Sequence, residues 1–564
     1  MAGPQAVWTR VEPPAAASLA AEGFGVRPAR LLAQRGLVDG AQARAFLSPS
    51  LLDLHPPRQL LGLEAAVERL AAAKRRGERV AIVGDYDVDG VTATALLAAT
   101  LRSDGLEVET ILPRRDAEGY GFQPVHVERA AAASCALLVT VDCGMQGIDA
   151  ATTAARRGLD LIVTDHHLPG EALPSPAVIV NPRQPGCGYP FRDLTGAGLA
   201  LKLAAAYLES AGREVPWPAL LRIACLGTIA DVAPLVGENR AIAALGLAAL
   251  ADSRSPGLRA LLESAGVQPP VRAADVGFRI GPRLNAAGRL DSPEPALELL
   301  LTRDARRAAE LVDRLGRLNA ERQAHEAAIL EDARAELDRR GDLPPVVVAW
   351  RAGWHRGVVG VAAGRLAREI HRPVLLLAVD GELATGSGRS VAGISLHQLL
   401  QPWSERLERF GGHDQAVGLT ARTGDLVDLR AALEATAADW DERLLVPRLD
   451  YDDELDPGEL GEELWRTVRA LEPFGVGNPE PVFRVGPLRA EGEPRPFGAR
   501  HLSVRAARGA DGDSLELVGW GWAGRGPDWK RPFEVLAQLD RDRMRGGIVL
   551  RLVDARPVRS AATQ

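Results

Sequence analysis

Arg79-Val80-Ala81-Ile82-Val83-Gly84-Asp85-Tyr86-Asp87-Val88-Asp89-Gly90 is the stretch on which the reading of this chain turns. Arg79–Gly84 is a short apolar run, the length of a strand buried on both faces. It ends at a glycine and is followed by three carboxylates at alternate positions. Asp85, Asp87 and Asp89 can converge only if the backbone turns, and Gly84 and Gly90 permit the turn. Taken alone, the triplet reads equally as a surface acidic turn.

The pattern recurs outward from there. Thr140-Val141-Asp142-Cys143-Gly144 follows the apolar run Ala136–Val141, and Thr164-Asp165-His166-His167 follows Leu159–Thr164. Helical text separates these runs (Val91–Ser103, then alanine-rich stretches), and Glu107–Leu112 reads as a further strand. Strands alternating with helices predict an α/β fold on a parallel sheet, with ligands gathered beyond the carboxyl ends of the strands. The acidic and imidazole groups at these strand ends repel one another unless cations offset them. Their mixed nitrogen and oxygen donors favour manganese or magnesium over structural zinc, and the histidines tip the balance to manganese. Such a site in a soluble protein points to phosphoryl-transfer chemistry. Asp231, in Ala230-Asp231-Val232-Ala233-Pro234, ends an apolar helix, where an acid is unfavourable beside the negative pole. It reads either as the closing ligand or as a buried cap for the next segment.

At 564 residues the chain exceeds one core, and three or four domains are expected. Residues 1–60 carry proline clusters and short helical patterns and are expected to pack on the first domain, which spans 61–300. Arg303–Arg340 is charged, free of proline, and carries Leu311, Leu315, Leu318 and Leu337 at near-helical spacing, which predicts one long helix within a 301–342 connector. A second, smaller α/β unit covers 343–445, built on Pro345–Trp350, a helix over Val358–Ile370 and Pro373–Val379. From 446 to 564 the pattern becomes short strands with Gly/Pro turns: Pro481–Val485, His501–Val504, Leu515–Trp520, Phe533–Leu539 and Gly547–Val553. Five such strands predict a small barrel of the OB type, a frequent single-strand binder, with Phe497, Trp520 and Trp522 as candidate stacking platforms or core aromatics.

The bulk numbers exclude several classes. No apolar stretch is long enough to span a membrane, and residues 1–30 lack a secretory pattern, so a cytoplasmic location is expected. Cys135, Cys143, Cys187 and Cys225 form no Cys-x-x-Cys pair, which argues against a zinc ribbon or disulfide framework. The net charge of −7 does not exclude nucleic acid, because clustered charge outweighs the total. All 67 basic residues except Lys74, Lys202 and Lys530 are arginine, which suits phosphate but equally reflects a GC-rich genome.

The segments GDYDVDG, VDCG, DHH and DVAP, in this order, resemble the DHH phosphoesterase superfamily, and within it the RecJ family of single-strand-specific 5′→3′ exonucleases. The resemblance extends from about residue 75 to 485. It runs through Arg115–Gly121, Leu194–Gly198, Gly281–Arg289, Trp354–Gly360, Gly386–Ser390, Gly411-Gly412-His413 and Leu471–Pro479. It departs at Asp414-Gln415-Ala416-Val417-Gly418, where the family has Ala-Ala-Gly. It implies a DHH domain and a DHH-associated domain joined by the long helix, followed by an OB-fold barrel. It implies two-metal hydrolysis releasing 5′-mononucleotides from single-stranded DNA, in recombination and repair. The implied ligands are Asp87, Asp89, Asp142, His166 and Asp231, with Asp142 bridging two ions. Asp85 is placed at or beside the metals, and His167 on the scissile phosphate. Arg283, Asn285 and Arg289 are implied phosphate contacts; Arg389, Ser390, Gly412 and His413, with Arg115, are implied to hold the substrate's 5′ end. For Arg283 and Arg289, surface or helix-capping roles compete. A helicase and a single-strand-binding protein are candidate partners, a monomer is expected, and no membrane is involved. Two rivals fit less well. Hydrolases of short oligonucleotides or cyclic dinucleotides generally lack the barrel, and a catalytically dead scaffold should have lost ligands.

Overall fold

The structure, a computed structural model, describes residues 6–13, 15–114, 118, 121–498, 500–507, 514–542 and 546–558. The chain divides into two units.

The first unit (Leu54–Ala233 and Gly237–Pro447) holds two sheets. In the first sheet the strands run Val108–Ile111, Val80–Val83, Leu137–Val141, Asp160–Thr164, Val178–Val180, all parallel. Val80–Val83 and Leu137–Val141 are buried along their whole length, as near-continuous apolar strands of a parallel sheet must be. The first strand in sequence lies second in space, so strand order reverses between Val80–Val83 and Leu137–Val141. A crevice opens at such a reversal, at the carboxyl ends of the two strands. Asp85–Asp89 and Asp142 follow those two strands directly.

The connector is one helix, Ala305–Arg340, of 36 residues, about 54 Å at 1.5 Å per residue. Leu311 and Leu315 are buried in its first half. In its second half Ile329, Leu330, Ala333 and Leu337 enter the core of the second sheet. That sheet runs Arg409–His413, Ala416–Arg422, Leu383–Arg389, Val374–Asp380, Val347–Ala352; its last pair is parallel and the rest antiparallel.

The second unit comprises Ala6–Asp53, Pro234–Val236 and Arg448–Gln564. Its larger sheet has seven strands, ordered Asp453–Leu455, Phe483–Leu488, Phe533–Arg541, Ile548–Pro557, Ser514–Gly519, His501–Ala507, Arg495–Phe497. All five expected strands are present, and Asp453–Leu455 and Arg495–Phe497 add the two edges. The expectation that residues 1–60 pack on the first domain is corrected for Ala6–Asp53. Leu19, Leu31 and Leu32 share a core with Phe483, Val535 and Leu550, and Val7–Arg10 pairs in parallel with Arg448–Tyr451. Charge drives the same choice: the buried Asp453 receives Arg10 (3.0 Å), Arg27 (3.1 Å) and Arg30. The pull of one distant carboxylate on three arginines is invisible to local periodicity.

Among the described residues no helix is long and apolar enough to cross a membrane. All four cysteines are buried and free.

A buried polar knot staples the first unit. Glu238 accepts from the His55 amide and the Tyr189 hydroxyl, both at 2.7 Å, and from Lys202 Nζ, which also donates to His55 O at 2.7 Å. The Lys202 and Glu238 side chains are 1% and 0% exposed. Glu238→Leu would strand the ammonium and is expected to cost about 3–5 kcal/mol of stability, read as a lower urea midpoint of the first unit's transition. The double variant Lys202→Met/Glu238→Leu should lose less.

Candidate active site and metal centre

The three carboxylates of the opening segment are held in three different ways. Asp87 is the N-cap of helix Val88–Ser103, its Oδ1 accepting from the amides of Asp89 (2.9 Å) and Gly90 (3.1 Å). Asp89 accepts from two further amides, Gly196 at 2.6 Å and Ala197 at 2.9 Å. These are the first residues of helix Gly196–Ser210, so Asp89 lies at the positive pole of that helix as well as in the first turn of its own. Asp85 Oδ1 accepts from the Tyr86 amide at 2.8 Å and is 2% exposed.

Close approach dictates glycine at two positions. A Cβ on Gly196 would sit 2.4 Å from Asp142 Cβ, and one on Gly227 would sit 2.4 Å from Asp89 Oδ1. Only bare backbone lets the helices Gly196–Ser210 and Trp217–Ala230 touch the carboxylates.

Asp142 and Val232 are non-glycine residues in the left-handed region, both at φ 61°. Such positions cost on the order of 1–3 kcal/mol and persist only where the surroundings impose them. Asp142 is held through its amide on Thr164 O (3.0 Å). Its Oδ1 faces His166 Nε2 at 3.1 Å without the angle of a hydrogen bond, and this buried oxygen has no hydrogen-bond partner. His166 Nε2 also lies 3.9 Å from Asp89 Oδ2 and 3.9 Å from Asp231 Oδ2. Asp231 caps the end of helix Trp217–Ala230, so its acid does stand at the negative pole of that helix.

Three overlapping groups bring ligand atoms within 4.8 Å of one another: Asp85, Asp87 and Asp142; Asp89, His166 and Asp231; and Asp142, His166 and His167. Asp142 belongs to two of them and His166 to two. The acidities register the crowding. Burial, then Asp89, Asp87, Asp85 and Asp231, lifts the Asp142 carboxyl well above its usual range. Burial and the charges of Asp89 and Asp87 push Asp231 up to about 8. Burial and Asp89 raise Asp87 despite its two amides and the nearby Arg289. Burial lowers His166 against the pull of Asp89. A buried carboxylate oxygen without a donor, ringed by acids that resist ionising, fits divalent cations. Mixed oxygen and imidazole donors suit manganese or magnesium.

Asp165, to which no role was assigned from sequence, takes no part in these groups. It accepts from the Met145 amide (2.9 Å), the His167 amide (3.1 Å) and His167 Nδ1 (2.7 Å). Burial would raise its pKa, but the hydrogen bond and charge of His167 together with the two amides outweigh it, and the net shift is downward. Burial pulls His167 down, but the Asp165 hydrogen bond and charge push it up to about 9. Asp165 thus orients one imidazole, as an outer partner orients a working histidine. Beside His167, a cavity of about 150 Å³ is walled by Phe122, Gln123 and Gly144.

The remaining predicted residues fall in two places. Asn285 Oδ1 accepts from the Val88 amide at 3.1 Å and so braces the Asp85–Asp89 turn. Arg289 donates to Gly357 O at 3.4 Å, joining the two lobes of the first unit beside Asp87. Arg283 donates to the carbonyls of Arg279 (2.6 Å) and Ser264 (3.4 Å), the contacts of a helix-end cation. In the second lobe, Arg389 donates to Gly388 O (2.8 Å) and its Nη2 lies 3.4 Å from where a Cβ on Gly360 would stand, in the first turn of helix Val359–Ile370. Ser390 Oγ donates to Ile394 O at 2.7 Å. Gly412 has φ 136° and, with the exposed His413, ends a hairpin strand. Arg115 lies outside the described residues. The amides of Gly196 and Ala197 and the role of Asp165 escaped the sequence reading. Thr195 before Gly-Ala-Gly was the available signal for a helix N-terminus.

The chain matches the DHH family, N-terminal domain, over residues 79–228, the DHHA1 domain over 343–439 and the RecJ OB domain over 451–553. It is 37% identical over 551 residues to the single-stranded-DNA-specific exonuclease RecJ of Dickeya dadantii, covering 92% of this chain and 93% of that one. Its likeness to the protein of the same name from Bacillus subtilis is 36% over 496 residues, covering 87% of this chain and 62% of the relative. Among solved structures, RecJ from Thermus thermophilus in complex with Mn2+ superposes with a TM-score of 0.82 at 34% identity, covering 98% of this chain and 80% of that one. The Mg2+ complex of the same protein gives 0.77.

The raised groups set a pH dependence. Stability from Asp231 and His167 is full below their unfolded values and is lost as pH rises through about 8 and about 9 respectively. The metal-free chain should therefore melt lower at pH 8 than at pH 5. Divalent cations bind the deprotonated ligands, so Mn2+ should raise the melting temperature more at pH 8 than at pH 5. Equal shifts at both pH values would place the ion elsewhere.

Proposed function

Because the chain belongs to the RecJ family of single-stranded-DNA-specific exonucleases, we propose that it degrades single-stranded DNA from the 5′ end, releasing 5′-mononucleotides by phosphodiester hydrolysis with two divalent ions, manganese favoured over magnesium. The observation that carries this reading is the donorless Asp142 Oδ1 inside two overlapping ligand groups.

The ions, when bound, activate a water and neutralise charge on the phosphoryl oxygens. Asp85 and Asp87 would hold the ions from one side of Asp142, and Asp89, His166 and Asp231 from the other, with Asp142 the carboxylate placed to be shared. The two amides on Asp89 aim that carboxylate before any ion arrives. His167, its ring set by Asp165, donates to an oxygen of the scissile phosphate. Arg289 stands where a strand passing between the lobes would bring its phosphate, and Asn285 acts on substrate through the turn it braces. Arg283 lies further out, along the backbone of the strand.

The second lobe takes the 5′ end. Glycine at 360 leaves room for Arg389 beside the N-terminus of helix Val359–Ile370, a combination that attracts an anion. Ser390, Gly412 and His413 complete that pocket, and the family resemblance assigns Arg115 to the same 5′ end. The domains divide at 61–300, 301–342, 343–445 and 446–564. The OB unit grips the strand by stacking. Trp520 is 58% exposed and packs edge-on against Phe497, whereas Trp522 leans on the core and is the weaker platform. A role in recombination and repair in the cytoplasm, as a monomer working with a helicase and a single-strand-binding protein, belongs to the same reading.

Single strands labelled at the 5′ or 3′ end, incubated with Mn2+, test it. The 5′ label is expected first, as a mononucleotide. Asp142→Ala should lower the rate by more than about 100-fold, since even outer partners of metal ligands are worth 10–100-fold. No mononucleotide from the wild type would sink the reading, and release from the 3′ end would overturn its polarity.

A further inference from the structure

Three rings meet at one edge of the seven-stranded sheet. Phe497 and His501 face each other across the antiparallel pair of Arg495–Phe497 with His501–Ala507, their centroids 5.3 Å apart. Trp520, just after strand Ser514–Gly519, lies 4.7 Å from His501 and 5.5 Å from Phe497, at a steep angle to both rings. None of the three belongs to the hydrophobic core of the unit, and Trp520 keeps more than half of its surface in water. Clustered exposed rings, unlike scattered ones, mark a surface that binds something.

The position of Trp520 is fixed by its neighbours. Gly521 N donates to His501 Nδ1 at 3.0 Å, so that nitrogen carries no proton and the ring is pinned to the turn by an acceptor. Gly521 has φ 78°, a conformation that glycine adopts without strain. A Cβ on Gly519 would stand 2.6 Å from Trp522 Cβ, so the turn closes tightly on Trp522. Trp522 leans on the core, and Trp520 is left outside it.

Charge completes the edge. Arg495 lies two residues before Phe497, on the same face of its strand, Arg500 adjoins His501, and Arg525 follows the turn. All three are exposed and, among the described residues, make no ion pair. The nearby acids Glu493 and Asp528 are already engaged by Lys530 and Arg531. Rings flanked by uncommitted arginines suit a single strand, whose bases stack and whose phosphates carry negative charge.

We propose that this edge binds an unpaired base of the DNA strand on Trp520, that His501 is the positioning residue which holds Trp520 there through Gly521 N, and that Arg495, Arg500 and Arg525 take the flanking phosphates. The inference rests on the reading of the OB unit as a strand binder.

The test is the binding of a labelled oligo(dT) strand to the full chain in EDTA, read by fluorescence anisotropy, alongside steady-state kinetics with Mn2+. Trp520→Ala should weaken binding roughly tenfold. His501→Phe keeps a ring and loses the acceptor; it should weaken binding severalfold and raise KM for single strands more than it changes kcat. His501→Asn, whose Oδ1 stands in for Nδ1, should restore most of the affinity. Should His501→Phe fail to fold, His501→Leu, also without an acceptor, takes its place. Each of Arg495→Ala, Arg500→Ala and Arg525→Ala should reduce the slope of log affinity against log salt by about 0.7. Wild-type affinity in His501→Phe with loss in His501→Asn would make the imidazole a stacking ring and overturn the positioning role. Unchanged salt slopes overturn the phosphate contacts. Wild-type affinity in both Trp520→Ala and His501→Phe overturns the site while leaving the OB unit a strand binder. No binding of oligo(dT) by the wild type removes that reading and this inference with it, whereas the nuclease reading is judged separately by mononucleotide release.

Discussion

Mutual repulsion among Asp85, Asp87, Asp89, Asp142 and Asp231 is the constraint from which the rest of the first unit follows. Unit charges 4 Å apart at a partly buried site oppose one another by about 4 kcal/mol. Convergence of five carboxylates is therefore possible only with local compensation. The fold supplies part of it from neutral groups. Asp89 takes two amides of a helix N-terminus, and Asp87 takes two amides of its own helix. What these donors leave over is Asp142 Oδ1, which faces imidazole and acids but no hydrogen. A cation is the group that this remaining negative charge requires.

The compensation depends on close approach. Helix amides reach a carboxylate only if no side chain intervenes, which is why Gly196 and Gly227 stand where a Cβ would collide with Asp142 and Asp89. The same logic places Gly288 against Tyr86 O, so that the helix carrying Asn285 and Arg289 lies on the acidic turn. Asp165 is treated differently: it is an acid of the same cluster by sequence, yet it is used on His167 rather than on an ion. The unit thus separates acids that hold charge from an acid that holds geometry.

On the proposed function, chemistry and substrate choice lie in different parts of the chain. The parallel sheet and its loops carry the acids and imidazoles of the metal-ligand groups. The lobe at the far end of helix Ala305–Arg340 sets Arg389 beside a glycine-lined helix start, a combination that favours an anion. The seven-stranded sheet of the second unit carries Phe497 on its edge strand, packed edge-on against the exposed Trp520 of a neighbouring loop. The N-terminal segment takes part in that unit because buried Asp453 collects three arginines from it.

The acid and imidazole positions, the parallel sheet, the long helix and all five core strands of the last domain were legible in the sequence, because each is written in local text: an apolar run, a period, a residue type at a strand end. Even the site's position was accessible, since ligands gather beyond the carboxyl ends of the strands of a parallel sheet, where Asp85–Asp89 and Asp142 fall; the reversal of strand order that opens the crevice there is seen only in the structure. Which acid does what was not legible. Asp165 and Asp142 both follow a buried strand, and only the approach of His167 and of the helix start at Gly196 distinguishes an acid that orients an imidazole from one whose oxygen is left without a donor. Arg283 and Asn285 also hold the protein backbone, which could not be read from sequence because the carbonyls of Arg279 and Ser264 and the amide of Val88 come within reach only after packing. The docking of Ala6–Asp53 and of Pro234–Val236 likewise belongs to tertiary structure alone. Local sequence encodes which groups carry charge and which segments are apolar; the partner that satisfies each group is decided by distances between segments hundreds of residues apart.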